Sequence, residues 1–368
     1  MDTREIVVFG AGIAGEKFIY QYCSDVNISC FWDNKKTGDI LGYQIKKPEG
    51  SKNCFILVAS VHYFDIRMQL TQMGYKEFTD FIPVQIFRKK MVVAYGNCHM
   101  EAVRAYLERH KTFSMEYGFY PFPAICEIKA VQFDYSDVLQ HCDLFLHQSI
   151  RKENVYGEQY SSEYMLKFLT LDCIVISCPN LYGMPKYLFP QLDMDKKWKT
   201  GLFRPCFIDS NIVSWIEKGE NIEKIKSYII QGGVYKRTEI IDMWEKFVTK
   251  LKEREKGWDI KVIDYILDNQ KKIKIFCDIN HITSETAREI SGRILKYMGY
   301  EEQTIPVLPI LDALEVFVYT DVKEALGLEF KEKYIRKWNH ANNLNTSEMN
   351  FDEYIRQVYA FTKFELNY

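Results

Sequence analysis

Twice in this chain an apolar strand runs into a glycine turn that opens directly into a helix, and this repeated unit restricts the fold more than any other feature. The first is Ile6 to Phe9 followed by Gly10-Ala11-Gly12-Ile13-Ala14-Gly15; the second is Met91 to Tyr95 followed by Gly96-Asn97-Cys98-His99. Strand, turn and helix in that order build parallel sheets covered by helices, so the expected class is α/β.

The first turn has the G-x-G-x-x-G spacing of dinucleotide-binding folds, in which glycines let the backbone approach a phosphate and the free N–H groups of the helix start bind its charge. A second strand, Ile28 to Trp32, ends at Asp33, 18 residues after Gly15 and near the usual place of a ribose-binding acid. Gly10, Gly12, Gly15 and Asp33 are therefore candidate cofactor-binding residues; the alternative is that the three glycines only pack a tight turn. Cys54 to Ser60 is apolar throughout and suits a buried parallel strand. Val61 to Met73 reads as a helix ending at Gly74, and a short strand lies near Phe78 to Ile82. The segment 1–88 resembles the small Rossmann-like modules that precede bacterial polysaccharide-modifying enzymes. That likeness implies a nucleotide or sugar-nucleotide ligand, or a fold kept without one.

In the second segment, Met100, Val103 and Leu107 recur at helical spacing after the turn, which puts Cys98 at a helix amino terminus. There the helix dipole and free N–H groups favour a thiolate and a developing oxyanion; the alternative is a small buried hydrophobe. Three more apolar runs end in polar residues: Asp143 to Leu146 into His147-Gln148, Cys173 to Ser177 into Pro179-Asn180, and Ile273 to Cys277 into Asp278-Ile279-Asn280-His281. In open parallel sheets the ligand crevice lies outside the carboxyl ends of the strands, so four such ends predict one cleft. Acyl transfer needs a nucleophile or activated hydroxyl, a base, a group orienting that base and oxyanion donors. Cys98, His281, Asp278, and Asn97 or Asn180 are the respective candidates. Gly96, His99, His147 and Gln148 are candidate substrate-binding residues. A metal held by Cys98, His99, His147 and His281 matches no standard zinc spacing, and none is expected.

Gly96-Asn97-Cys98 after one strand and Asp278-x-x-His281 after another resemble the SGNH (GDSL-like) hydrolases and acyltransferases, with cysteine where serine is usual. Together with Phe145-Leu146-His147-Gln148, Cys178-Pro179-Asn180 and Asn280-His281 they look like the WcbI family of capsular-polysaccharide biosynthesis enzymes, over residues 91 to about 300. That resemblance implies a coenzyme A-dependent acetyl transfer to a sugar hydroxyl. His99 stands where members usually carry Gln, and Asn180 substitutes for the superfamily's Gly-x-Asn block.

The expected organisation is a Rossmann-like domain (1–88), a catalytic α/β domain (89–300) with a helical insertion near 183–271, and a helical extension (301–368) packed on it. Insertion helices are predicted at 209–218, 222–230, 237–255 and 259–268, and a final helix near 351–364. Lys186, Arg204, Lys236 and Arg237 are basic enough to meet phosphates, though solvated surface is the default for such residues. With 48 basic and 50 acidic residues among 368, the formal charge of −2 carries no footprint for a nucleic-acid backbone or an anionic membrane. Ten cysteines without a CxxC pair point to thiols in a reducing compartment. No signal-peptide pattern opens the chain, and no uncharged apolar run approaches the roughly 18 residues of a membrane span. The expected setting is cytoplasmic, with acyl-CoA and a carbohydrate as partners and a homo-oligomer left open.

Overall fold

The computed structural model describes residues 4–50, 53–128, 135–181, 209–277, 281–308, 316–332, 335–336 and 348–366. The chain divides into two compact units. One comprises Met1–Asn97 and Glu108–Val175, the other Cys98–Leu107 and Ile176–Tyr368.

The first unit opens with β1 (Glu5–Phe9), α1 (Ile13–Tyr22), β2 (Ile28–Trp32), β3 (Gly38–Ile40), β4 (Tyr43–Lys46), β5 (Cys54–Val58), α2 (Tyr63–Gln72) and β6 (Phe81–Pro83). These strands form one sheet in the order β3-β4-β2-β1-β5-β6. The apolar runs are parallel as expected, with Val8 level with Phe31 on one side and Leu57 on the other. Chain order reverses between β1 and β5, the switch point of a Rossmann-like sheet. The hairpin β3–β4 is antiparallel and turns through Leu41 and Gly42, both at positive φ, the backbone of a tight two-residue hairpin turn.

A second sheet follows, built from β7 (Lys90–Tyr95), β8 (Tyr117–Phe119), β9 (Leu144–Gln148) and β10 (Ile174–Cys178) in the order β10-β9-β7-β8. Connecting helices are α3 (Cys98–Leu107), α4 (Lys111–Glu116), α5 (Tyr135–Gln140) and α6 (Ser162–Leu166). Within the first unit one apolar cluster joins both sheets: Val7, Ile56 and Phe81 belong to it together with Val93, Tyr95 and Phe145. A separate cluster under α1, with Val8, Phe18, Phe31 and Leu57, fills the other face of the first sheet.

The second unit holds α3, α7 (Ser210–Glu217), α8 (Ile222–Gln231), α9 (Arg237–Glu255), α10 (Ile263–Asn269), α11 (Ser284–Tyr297), α12 (Thr320–Leu326), the short pair β11 (Ile335–Arg336) and β12 (Glu348–Met349), and α13 (Phe351–Leu366). The helical stretch after residue 208 thus forms as its periodicity and caps dictate. Asp209 caps α7 by accepting from the Asn211 N–H at 2.8 Å, and Asn221 caps α8 by accepting from Lys224 N–H at 3.0 Å. The final helix α13 packs on α7 and α8, and Asp352 at its start pairs with Lys226 at 3.0 Å.

One expected strand requires correction. Ile273 to Cys277 joins neither sheet: Phe276 is bridged to Ile282, Cys277 N–H donates to the His281 carbonyl at 2.9 Å and Thr283 N–H to the Ile275 carbonyl at 2.9 Å, and the Cys277 carbonyl accepts from Val316 N–H at 2.8 Å. An apolar run of this length satisfies its backbone through such isolated pairings as readily as in a sheet, and periodicity does not separate the two. The polar residue His281, expected after a strand, therefore stands in the segment that leads into α11. Among the described residues no helix is long and apolar enough to cross a membrane.

Candidate active site

In the second unit, Cys98 is the first residue of α3 and is half-buried, and His99 beside it is 2% exposed. The His99 ring meets that of His281, with centroids 6.3 Å apart and planes at 66°. His281, half-buried, lies three residues before α11, and its carbonyl accepts from Cys277 N–H at 2.9 Å. Cys277 is held in turn: its carbonyl accepts from Val316 N–H at 2.8 Å, and its thiol reaches the Ile282 carbonyl at 3.4 Å. Thr283 caps α11 by accepting from Thr286 N–H at 3.3 Å. These bonds hold the backbone that carries His281.

The helices α3 and α11 lie side by side and run the same way. His99 meets His281 at one end, and farther along the Ser291 hydroxyl donates to the Val103 carbonyl at 3.1 Å. Ala287, Ile290 and Ile294 form the buried stripe of α11. Two helix amino ends, each worth about half a positive charge, therefore point toward the place where Cys98 and His281 sit. Such an arrangement favours negative charge developing on a bound group and offers N–H donors to it.

In the first unit, β7 delivers the turn that precedes Cys98. Tyr95 is level with His147 on β9, and the Asn97 N–H donates to Gln148 Oε1 at 2.9 Å. Gln148 is 1% exposed, and its own carbonyl accepts from the Ser162 hydroxyl at 2.8 Å, while that hydroxyl accepts from the Ile150 N–H at 2.8 Å. The Gly96 carbonyl is held by the Ile125 N–H at 2.9 Å. His147, 6% exposed, stacks on Phe145 at 5.2 Å. Ser162 is a positioning residue that the sequence reading missed. Its signal is a Ser161-Ser162 pair at a helix start, where Ser161 caps α6 and Ser162 is left to bond elsewhere.

Of the other candidates, Asn180 is half-buried after β10, with its carbonyl accepting from Arg254 Nη1 at 3.4 Å. Asp278 and Asn280 lie outside the described residues, as do Lys186 and Arg204. The neighbouring Cys178 is fully buried, and desolvation pushes its thiol well up, which leaves it inert. Among the described residues no three His, Cys, Asp or Glu side chains stand close enough to hold a metal ion. None of the described cysteines forms a disulfide.

The glycine turn of the first sheet divides into two kinds of position. At Gly10, with φ +123°, an added Cβ would lie 2.3 Å from the Ala59 carbonyl oxygen, and at Gly15 it would lie 2.2 Å from the Gly10 oxygen. These two glycines are forced by packing. Gly12 faces open space, with nothing within 4 Å of its would-be Cβ. Asp33 braces the turn: one carboxylate oxygen accepts from Ala11 N–H at 3.0 Å, the other from Lys35 and Lys36 N–H at 2.8 Å. Burial opposes its charge, but those donors hold the carboxyl below its ordinary value.

The fold defines an α/β protein with a Rossmann-like leading sheet and, in the second unit, two parallel helix starts, one carrying Cys98 and His99 and the other preceded by His281. The model of the WcbI family, described as a polysaccharide biosynthesis enzyme, matches residues 91–303. The chain belongs to that family of enzymes. A solved structure of WcbI, described as a novel polysaccharide biosynthesis enzyme in native form without a disulfide bond between coenzyme A and a cysteine, is similar in fold. Its TM-score is 0.59 at 21% identity over 75% of this chain and 90% of that one. Among curated proteins none matches.

Proposed function

We propose that this protein is an acyl-CoA-dependent O-acyltransferase that moves an acetyl group to a sugar or sugar-nucleotide hydroxyl in capsular or cell-surface polysaccharide synthesis in the cytoplasm. The observation that carries the proposal is His281 beside His99, the residue that follows Cys98, at the joint amino ends of α3 and α11. The WcbI structure, whose description names coenzyme A and a cysteine with no disulfide bond between them, supports the reading of a coenzyme A site near Cys98 here.

In this mechanism His281 takes the proton from the acceptor hydroxyl as its oxygen attacks the thioester carbon of acetyl-CoA. Imidazole suits this task because its ordinary pKa lies near cellular pH. The C–O bond forms, the C–S bond breaks, and the proton passes to the departing sulfur, giving the acetylated sugar and free coenzyme A. Backbone N–H groups at the α3 start, with Asn97 and Asn180, stabilise the oxyanion, and Asp278 orients His281. In the covalent variant Cys98 first accepts the acetyl group as a thioester and the sugar then attacks that. Gly96, His99, His147 and Gln148 support the acceptor side, directly or by fixing the turn. The serine-to-cysteine exchange makes this an SGNH-like site. In the leading sheet, the open face at Gly12 would admit a nucleotide or sugar nucleotide, with Gly10, Gly15 and Asp33 shaping the turn.

The test is acetyl-CoA consumption by the full chain with sugar acceptors and with water alone. Acceptor-dependent release of free thiol, lost in Cys98→Ala and His281→Ala, supports transfer. Release independent of acceptor would make it an esterase, and none in any condition would make it a binding protein.

A further inference from the structure

Strand pairing in the first unit brings together two cysteines that the mechanism does not use. Cys142 stands just before β9 and Cys173 just before β10, and the Ile174 N–H donates to the Asp143 carbonyl at 2.9 Å, which sets the two strand starts side by side. Neighbouring strands lie about 4.8 Å apart, inside the roughly 4.4–6.8 Å that a disulfide bridges between Cα atoms. The two thiols already hydrogen-bond each other. Both pack with the apolar cluster that joins the two sheets of this unit.

The pair is unequal in the way that thiol–disulfide exchange requires. Cys142 is 3% exposed, and desolvation, together with its hydrogen bond to Cys173, pushes its thiol well up. Cys173 is half-buried and follows the exposed Leu171 and Asp172. The hydrogen bond from Cys142 brings the Cys173 thiol below its ordinary value against the pull of burial, and the Phe145 N–H donates to the same sulfur. An accessible nucleophile thus has a buried partner in reach, whereas packing alone calls for neither.

We propose that Cys142 and Cys173 are a modification site, a reversible clasp closed by small disulfides of the glutathione class. The Cys173 thiolate attacks one sulfur of the oxidant, whose S–S bond breaks; a mixed disulfide forms, and the departing thiolate takes up the proton that Cys173 gave up. Cys142 then attacks the Cys173 sulfur, and the second small thiol leaves with the Cys142 proton. Two protein thiols are oxidised to one disulfide, and one small disulfide is reduced to two thiols. The loop so closed, 143–172, carries Gln148, which holds the Asn97 N–H, and Ser162, which holds the Gln148 carbonyl. The clasp therefore ties down the segment that braces the Asn97 turn, whatever reaction that turn serves.

The test takes the full chain, reduced and then equilibrated in glutathione buffers from reducing to oxidising, with free thiols alkylated and the digest read by mass spectrometry. A linked peptide pair containing Cys142 and Cys173 is expected, reversed by dithiothreitol, and the oxidised protein should melt about 5–10 °C above the reduced one. Cys142→Ala is expected to keep glutathione on Cys173, and Cys173→Ala to leave Cys142 unmodified with no rise in melting temperature. Both thiols alkylated in every buffer, a glutathione adduct that persists on Cys173 of the parent protein, or an oxidised protein that melts no higher than the reduced one would overturn the proposal. The peptide readout comes from the parent protein, so it decides the matter even where a variant folds poorly.

Discussion

The rings of His99 and His281 lie 6.3 Å apart, and this contact brings the start of α3 and a distant helix-capping segment into one place. It depends on the packing of α3 on α11, which admits small residues at the crossing. Ser291 is buried there against the Val103 carbonyl. Ser291→Leu is expected to cost about 1–3 kcal/mol by overpacking and to lower acetyl-transfer rates as well, whereas Ser291→Ala changes both little. Urea unfolding and initial rates on the same samples check this.

Gln148 acts through Asn97. Removing its amide oxygen in Gln148→Met strands the Asn97 N–H, at a cost of about 1–3 kcal/mol, while Gln148→Glu keeps an acceptor and recovers most of the loss. Chemical denaturation of the two variants distinguishes lost bonding from lost packing.

The glycine turn makes opposite predictions at two positions. Gly10→Ala forces a Cβ to 2.3 Å from the Ala59 oxygen at φ +123° and should cost more than about 2 kcal/mol. Gly12→Ala meets open space and should stay within about 1 kcal/mol of the parent. If the turn binds a nucleotide, Gly12→Ala weakens that binding without unfolding the protein, which a thermal-shift titration with sugar nucleotides reads.

Asp209 gives the pH dependence. Burial raises its carboxyl to about 6, against the opposing pull of the Tyr319 hydroxyl and the Asn211 and Ile212 N–H groups. Since the folded value lies above the unfolded one of 3.8, the folded protein binds more protons between about pH 4 and pH 6, and stability from this group falls as pH rises through that window. Asp209→Asn retains the cap and should flatten the slope. Unfolding midpoints measured from pH 4 to pH 7 are expected to converge for the two proteins at the acid end and to favour Asn at neutral pH.

Much of this was legible because buried parallel strands are written as continuous apolar runs and helices as capped stripes. The central strands β1, β2, β5, β7 and β9 follow from the first rule, and α7, α8 and α9 from the second. Of the elements that escaped, two show why. The β3–β4 hairpin has few apolar residues and hinges on Leu41 in a positive-φ turn that leucine seldom adopts. β8 is only Tyr117 to Phe119, and Gly118 reads as a break, although it is glycine because a Cβ would lie 2.0 Å from the Gln85 carbonyl oxygen. The reverse error, Ile273 to Cys277, shows that an apolar run states burial but not its pairing partner. At the site, the sequence displayed Cys98, His99 and His281 as residues near polar corners. Their convergence belongs to tertiary packing, and so does the use of Gln148 to hold a backbone N–H.

The most direct test of the central claim is a double-mutant cycle on acetyl transfer at Cys98 and His281. If thiol and imidazole act as one unit, Cys98→Ala and His281→Ala each lower the rate by about 100-fold or more and the double variant is no slower than the worse single one. Two small losses that simply add, or a normal rate in either single variant, would contradict it.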